Sequence, residues 1–294
     1  MFEPLQYEFF QRGLIAATMV GGLCGLIGVY VVLRKMSYIG HGLSHAIFGG
    51  AVVSYVLSIN FYLGASAWGF LTALLINATT RRRKFIAADA AIGIITTASF
   101  ALGVALISRY RTFTRSFDAA LFGNILGVTQ NDLYALYAVS AVVLVLVLAL
   151  YRRLLFTTFD PEVAPFYGVR TEWIDTLFSL ILAGTIVVSM QVMGVTLIAA
   201  SLVIPPVTAR LLTNSFSRLM ALSVIIGALC GFVGMYASFY VDVSSGANIV
   251  LVAAAAFMLA MLYSAVSRRL ATARGLAAPP LAPSPAAREH ALFE

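Results

Sequence analysis

Charge is what this chain has least of. Only 11% of its 294 residues are Asp, Glu, Lys or Arg, whereas a soluble domain carries about 25%. Hydrophobic residues make up 61%, and the mean hydropathy is +0.95. The few charges cluster between apolar runs long enough to cross a bilayer. The composition therefore predicts an all-α polytopic membrane protein. The net charge of +7 does not point to nucleic acid, because the basic residues sit at the ends of apolar runs, as topology determinants do. Cysteine is also scarce. Cys24 and Cys230 lie in separate apolar segments, which argues against a disulfide and offers no zinc-finger spacing. There is no GxxxxGK[ST] phosphate-binding loop, so the chain is not expected to hydrolyse nucleotide by itself. No internal repeat is visible, which weakens a transporter built from two inverted halves. Met1–Gln11 carries Glu3 and Glu8 and has no basic front end, so no cleavable signal is expected there.

Histidine is rarer than charge, and its placement is the informative feature. Two of the three histidines, His41 and His45, fall in MSYIGHGLSHAIFGG (Met36–Gly50), inside a long apolar run. Residues four apart lie on one face of a helix with Cβ atoms roughly 5–6 Å apart. Two imidazoles so placed can bite one metal ion, as paired histidines do in zinc-protease helices. The residue after His41 is Gly42, not the glutamate such a protease uses as its base, so no hydrolytic chemistry is attached to the pair. A lone histidine in an apolar helix is usually a hydrogen-bonded core residue. Ionisable groups at membrane depth, however, mark ion or proton pathways more often than packing.

In chain order, nine spans are expected. The first is about 12–33, with Gly21 and Gly25 placed for close helix approach. The others are 38–60, 61–80, 88–108, 133–151, 173–192, 194–212, 219–240 and 249–266. Arg34–Lys35, Arg81–Lys84, Arg152–Arg153 and Arg268–Arg269 mark cytoplasmic ends. All but four of the 19 Lys/Arg (Arg12, Arg109, Arg111 and Arg115) then face the cytoplasm, with the N-terminus outside and the C-terminus inside. The histidine pair falls about 9–15 Å in from the basic cluster at Lys35. A short outer helix is expected around Asp118–Leu126. On the cytoplasmic side, Asp160 before Pro161 reads as an N-cap with proline at the first helical position, and Gly168 as the stop. Pro205 and Pro206 predict a kink in the seventh span. Residues 1–269 form the transmembrane domain. The Pro/Ala-rich stretch 270–294, which contains His290, reads as a disordered cytoplasmic tail.

From the residues alone, a secondary metal or proton transporter or channel, an intramembrane metallohydrolase and a scaffold all stay open. The hydrolase would need a third ligand and a carboxylate base, and neither is evident.

Five stretches in order narrow the choice. LRKMSYIGHGLSHA resembles the signature of the membrane permease subunit of manganese/zinc/iron-type ABC importers. FDAALFGNILGVTQNDL is similar to that family's outer segment, and TFDPEVAPFYGV to its cytoplasmic coupling segment. MGVTLIAASLVIPPVTARLL and VSSGANIVLVAA resemble its last two motifs. The resemblance runs from about residue 10 to 268. It implies a plasma (inner) membrane permease that translocates zinc, iron or manganese, working with a second permease copy or paralogue. Cytoplasmic ATP-binding subunits would drive it, and an extracytoplasmic metal-binding protein would deliver the ion. No permanently bound cofactor is implied, since the divalent metal is cargo. Asp160, Pro161, Glu162 and Gly168 would couple to the ATPase. His45 matches the family's metal-site histidine. His41 stands where the family generally has aspartate, which removes a hard, anionic donor. Imidazole suits zinc and iron and carboxylate suits manganese, so the expectation leans towards zinc or ferrous iron.

Overall fold

The computed structural model describes residues 3–82, 88–110 and 121–273. All the regular structure among them is helical: α1 (Glu8–Leu33), α2 (Ser37–Val56), α3 (Phe61–Arg82), α4 (Ala88–Tyr110), α5 (Gln130–Ala149), the short α6 (Tyr151–Phe159), α7 (Thr171–Leu212), α8 (Phe216–Val241) and α9 (Ser245–Ala273). Arg83, Lys84, Arg111, Arg115, Asp118 and the tail from 274 lie outside the described residues.

Seven of these helices are long and apolar enough to cross a membrane. One of them, α7, is 42 residues long. At 1.5 Å per residue it measures about 63 Å, roughly twice a bilayer's hydrocarbon core. Its backbone leaves helical dihedrals at Gly194 (φ 74°, ψ 166°), the boundary expected between the sixth and seventh spans. The sequence also placed a kink at Pro205 and Pro206. Both prolines sit inside the helix in helical conformation, and both are buried. The carbonyl that Pro206 cannot pair, that of Leu202, packs against Gly28 of α1, where a Cβ would lie 3.0 Å from the carbonyl carbon. A neighbouring helix that approaches a freed carbonyl this closely is how membrane helices accommodate proline.

The remaining long helix, α2, has 20 residues and is diluted by histidine, serine and glycine. It can be less apolar because α3, α4 and α7 enclose it and twelve of its residues are buried. Lipid is faced instead by helices such as α5 and α9, which expose Leu144, Val145, Leu148, Leu251, Leu259 and Leu262.

The middle of the molecule is α1, buried along most of its length, with α7 and α8 against it. Gly21 and Gly227 face each other so closely that a Cβ on either would meet the other's carbonyl group at under 3 Å. Gly25 does the same with Ser223, whose hydroxyl donates to the Gly25 carbonyl at 2.7 Å. Small residues thus let α1 and α8 touch backbone to backbone, as the Gly21/Gly25 spacing predicted.

Between α4 and α5, the described outer residues make a 3-10 turn at Ile125–Gly127. This segment fills the break in α7. The Asn124 N–H donates to the Gln191 carbonyl, and the Thr196 hydroxyl donates to the Leu121 carbonyl at 2.8 Å. Part of the expected helix at 118–126 lies outside the described residues. Next, α5 opens with a reciprocal Thr129–Asp132 capping box.

Candidate functional site

The site begins at the turn that launches α2. The amide of Lys35 donates to the Val32 carbonyl and that of Met36 to the Val31 carbonyl, with Lys35 left-handed at φ 57°. This is a Schellman closure on a non-glycine residue. It reverses the chain within three residues and fixes where α2 starts. Gly42, Gly49 and Gly50 then press α2 against Thr96, Ser99 and Trp68 of its neighbours. The Ser99 hydroxyl donates to the Ala46 carbonyl at 3.0 Å and accepts from the Trp68 indole N–H at 2.6 Å.

His41 and His45 lie one turn apart on α2. Their ring centroids are 4.7 Å apart and the rings are nearly perpendicular, at 79°. His41 is exposed and His45 half-buried. The His45 ring meets Phe100 of α4 edge to face at 5.2 Å, so an aromatic wall holds one imidazole while the other stays accessible. The separation lets both ring edges address one cation. Among the described residues, no group of three or more His, Cys, Asp or Glu is placed to hold a metal. The pair could therefore offer at most two imidazole nitrogens to an ion. No described carboxylate joins the pair. Asp242 caps the far end of α8, while Asp118 and the Asp89 side chain are outside the described residues.

Residues 160–168 form a second feature. Asp160 does not cap a helix N-terminus; it closes α6 as the C-cap, and its carbonyl accepts from the Ala164 N–H at 3.1 Å. Pro161 and Glu162 are exposed in the turn that follows, and a single 3-10 turn spans Ala164–Tyr167. Proline at 161 removes a donor without starting a helix, because the turn is already closed by the Asp160 carbonyl. Gly168 is the expected left-handed stop, at φ 76° with nothing near a would-be Cβ. Phe166 is 88% exposed and Tyr167 75%. Two aromatics held outward by a rigid turn are a protein-contact feature, and the sequence reading passed over them.

It also passed over Arg34, which reads in sequence as a topology marker. Its side chain is only 6% exposed and pairs with Asp175 at 2.8 Å. Burial lowers its pKa from the ordinary value, while the Asp175 carboxylate opposes that shift. A guanidinium stays charged under such conditions.

The model of the ABC 3 transport family matches residues 6–264. The manganese transport system membrane protein MntC of Halalkalibacterium halodurans is 38% identical over 262 residues, 89% of each chain. A Haemophilus influenzae protein named "Probable iron transport system membrane protein" is 34% identical over 264 residues, 90% of this chain and 93% of that one. Among solved structures, PsaBC from Streptococcus pneumoniae in complex with Fab superimposes with a TM-score of 0.81 at 34% identity, covering 88% of this chain and 93% of that one.

Proposed function

Because the chain belongs to the ABC 3 transport family, we propose that it passes a divalent transition metal through the membrane by way of His41 and His45. It is the permease of a metal ABC importer, a multi-pass membrane protein, and ATP hydrolysis belongs to a separate subunit. The observation that carries the site is the histidine pair itself: two imidazoles 4.7 Å apart on a protein-enclosed helix, one of them accessible. Ionisable residues at such depth line cargo pathways.

Ferrous iron is the cargo that best reconciles the donors with the relatives. Imidazole favours iron and zinc over manganese, and the relatives reported above are named for manganese and for iron. Manganese is the second reading, supported by the names of several relatives. The ion arrives from an extracytoplasmic metal-binding protein. It is held by neutral imidazoles, since a protonated ring cannot ligate, with a second permease copy or water completing its coordination. Residues 160–168, led by Phe166, dock on the cytoplasmic ATP-binding subunit, whose closure reorients the helices.

Uptake of iron, manganese and zinc isotopes by the assembled transporter tests this reading. His45→Ala lowers uptake at least tenfold at unchanged membrane abundance, and His41→Asp moves the preference from iron towards manganese. Wild-type uptake by the His41→Ala, His45→Ala double variant would remove the pair from the pathway.

A further inference from the structure

We propose that Arg34 is a positioning residue, the joint through which the ATPase-facing segment moves the histidine-bearing helix. The proposal rests on the transport reading above and adds the path by which motion reaches the site.

Arg34 uses all three guanidinium nitrogens. Nε donates to the Thr158 hydroxyl at 3.0 Å, Nη2 to the Thr157 hydroxyl at 2.7 Å and Nη1 to the Asp175 carboxylate at 2.8 Å. Its plane lies over the Phe178 ring, with Cζ 4.7 Å from the centroid. The threonines are committed in turn. The Thr157 hydroxyl donates to the Arg153 carbonyl and that of Thr158 to the Leu154 carbonyl, so their lone pairs face the guanidinium.

These partners lie on both sides of the exposed segment. Thr157 and Thr158 are in the last turn of α6, just ahead of Asp160, while Asp175 and Phe178 are in the first turns of α7. One side chain therefore grips both ends of the loop that presents Phe166. On the other side, Arg34 is the C-cap of α1, and the Schellman turn that follows it starts α2. His41 comes seven residues after Arg34. With the turn closed by backbone hydrogen bonds and the guanidinium fixed at four points, displacement of residues 160–168 is delivered to the base of α2. An arginine serving only as a topology marker would extend to water or headgroups. This one is withdrawn from both, and a planar fork that satisfies several partners at once is something lysine cannot reproduce.

The test measures metal uptake and ATP hydrolysis on the same assembled transporter. Arg34→Gln is expected to keep ATP hydrolysis within about twofold of wild type while metal moved per ATP falls at least tenfold. The Thr157→Val, Thr158→Val pair severs only the grip on α6 and gives an intermediate loss, which keeps the test alive if Arg34→Gln fails to fold. A merely structural role would instead lower uptake and hydrolysis together, in step with membrane abundance, and that result overturns the proposal. An unchanged ratio of metal to ATP in both variants overturns it as well.

Spin labels at Glu162→Cys and Tyr38→Cys give a readout that needs no cargo. Their separation has one narrow distribution when Arg34 is present and a broad one in Arg34→Gln. An equally narrow distribution in the variant refutes the joint. Absence of metal uptake by the wild-type transporter would count against the cargo assignment alone, because the label distances are measured without metal.

Discussion

Two glycines on α2 allow the backbone contact behind the histidines to be tested by contrast. At Gly49 a Cβ would lie 2.9 Å from the Ser99 carbonyl carbon and closer still to its oxygen. Those atoms are backbone in the middle of α4 and cannot rotate away. At Gly42 the nearest atoms are side-chain rather than backbone, the Cγ2 methyls of Ile92 and Thr96, at 3.0 Å. Carbon contacts are comfortable near 3.5–4.0 Å, so Gly49→Ala must drive α2 and α4 apart by roughly 1 Å. Overpacking of this kind costs about 1–3 kcal/mol. The Gly42 site needs those methyls to shift by only a few tenths of an ångström and should lose less than about 1 kcal/mol, partly offset by alanine's better helix propensity.

Function should separate the two further. Gly49 is one turn beyond His45, and the Phe100 ring that holds His45 belongs to α4. Moving the helices apart withdraws that wall, and a misplacement of about 1 Å can cost 100-fold in a process that depends on aligned groups. Unfolding by SDS titration in mixed micelles, followed by helicity, gives the stability difference, and isotope uptake per unit of protein in the membrane gives the functional one. Gly49→Ala should unfold at a lower SDS fraction and lose at least tenfold in uptake, while Gly42→Ala stays within about twofold. Equal behaviour of the two variants in both assays would refute the close approach of α2 to α4 and the support it lends His45.

Ser99→Ala leaves the Trp68 indole N–H and the Ala46 carbonyl without their side-chain partner; it should cost about 1–3 kcal/mol in the same titration and alter Trp68 fluorescence in a Trp173→Phe background. Phe166→Ala removes a side chain that touches little of its own chain. It should leave unfolding unchanged but weaken association with the ATP-binding subunit at least tenfold in a pull-down titration, as loss of an aromatic anchor does. Gly194→Ala imposes a side chain at φ 74°, ψ 166°, a region open essentially to glycine alone, against the carbonyl carbon of Phe122 at 2.5 Å. It should destabilise by about 3 kcal/mol or more and expose residues 121–127 to protease, and native-like protection would contradict the packing at that break.

The helices were legible because bilayer thickness sets the length of an apolar run, and runs of that length can be counted. Gly21, Gly25 and Gly168 were legible for a similar reason, since close approach and left-handed backbone are things only glycine supplies cheaply. The effect of the prolines in α7 was harder to read. Proline is the usual signal for a kink, yet here the carbonyl freed at Leu202 is covered by Gly28 of a helix more than 170 positions earlier, and no local pattern reveals such a partner. Asp160 misled in the same way: an Asp-Pro pair is a good start signal, but the Asp160 N–H was already committed to the Phe156 carbonyl, closing the preceding helix. Arg34 was hidden most completely. A basic residue at the end of an apolar run normally points to the cytoplasm, and only the three-dimensional return of α6 and α7 to the foot of α1 turns it inward.

On the proposed reading, the sparse donor set of the histidine pair suits its task. A resident metal is held by three or four protein ligands with satisfied outer partners, and such a site would release cargo too slowly for a transporter. Two neutral imidazoles without an adjoining carboxylate leave the ion's charge uncompensated by this chain, among the described residues. Taking a divalent cation out of water is costly, so binding at this pair must be brief or completed from outside. Both conditions favour passage over storage. Placing aspartate at position 41 would add a negative charge and a hard oxygen donor, deepening the well for manganese while slowing its exit. His41→Asp should therefore lower the half-saturating manganese concentration and also the maximal uptake rate. A variant that gained in both respects would show that affinity at this pair does not limit release.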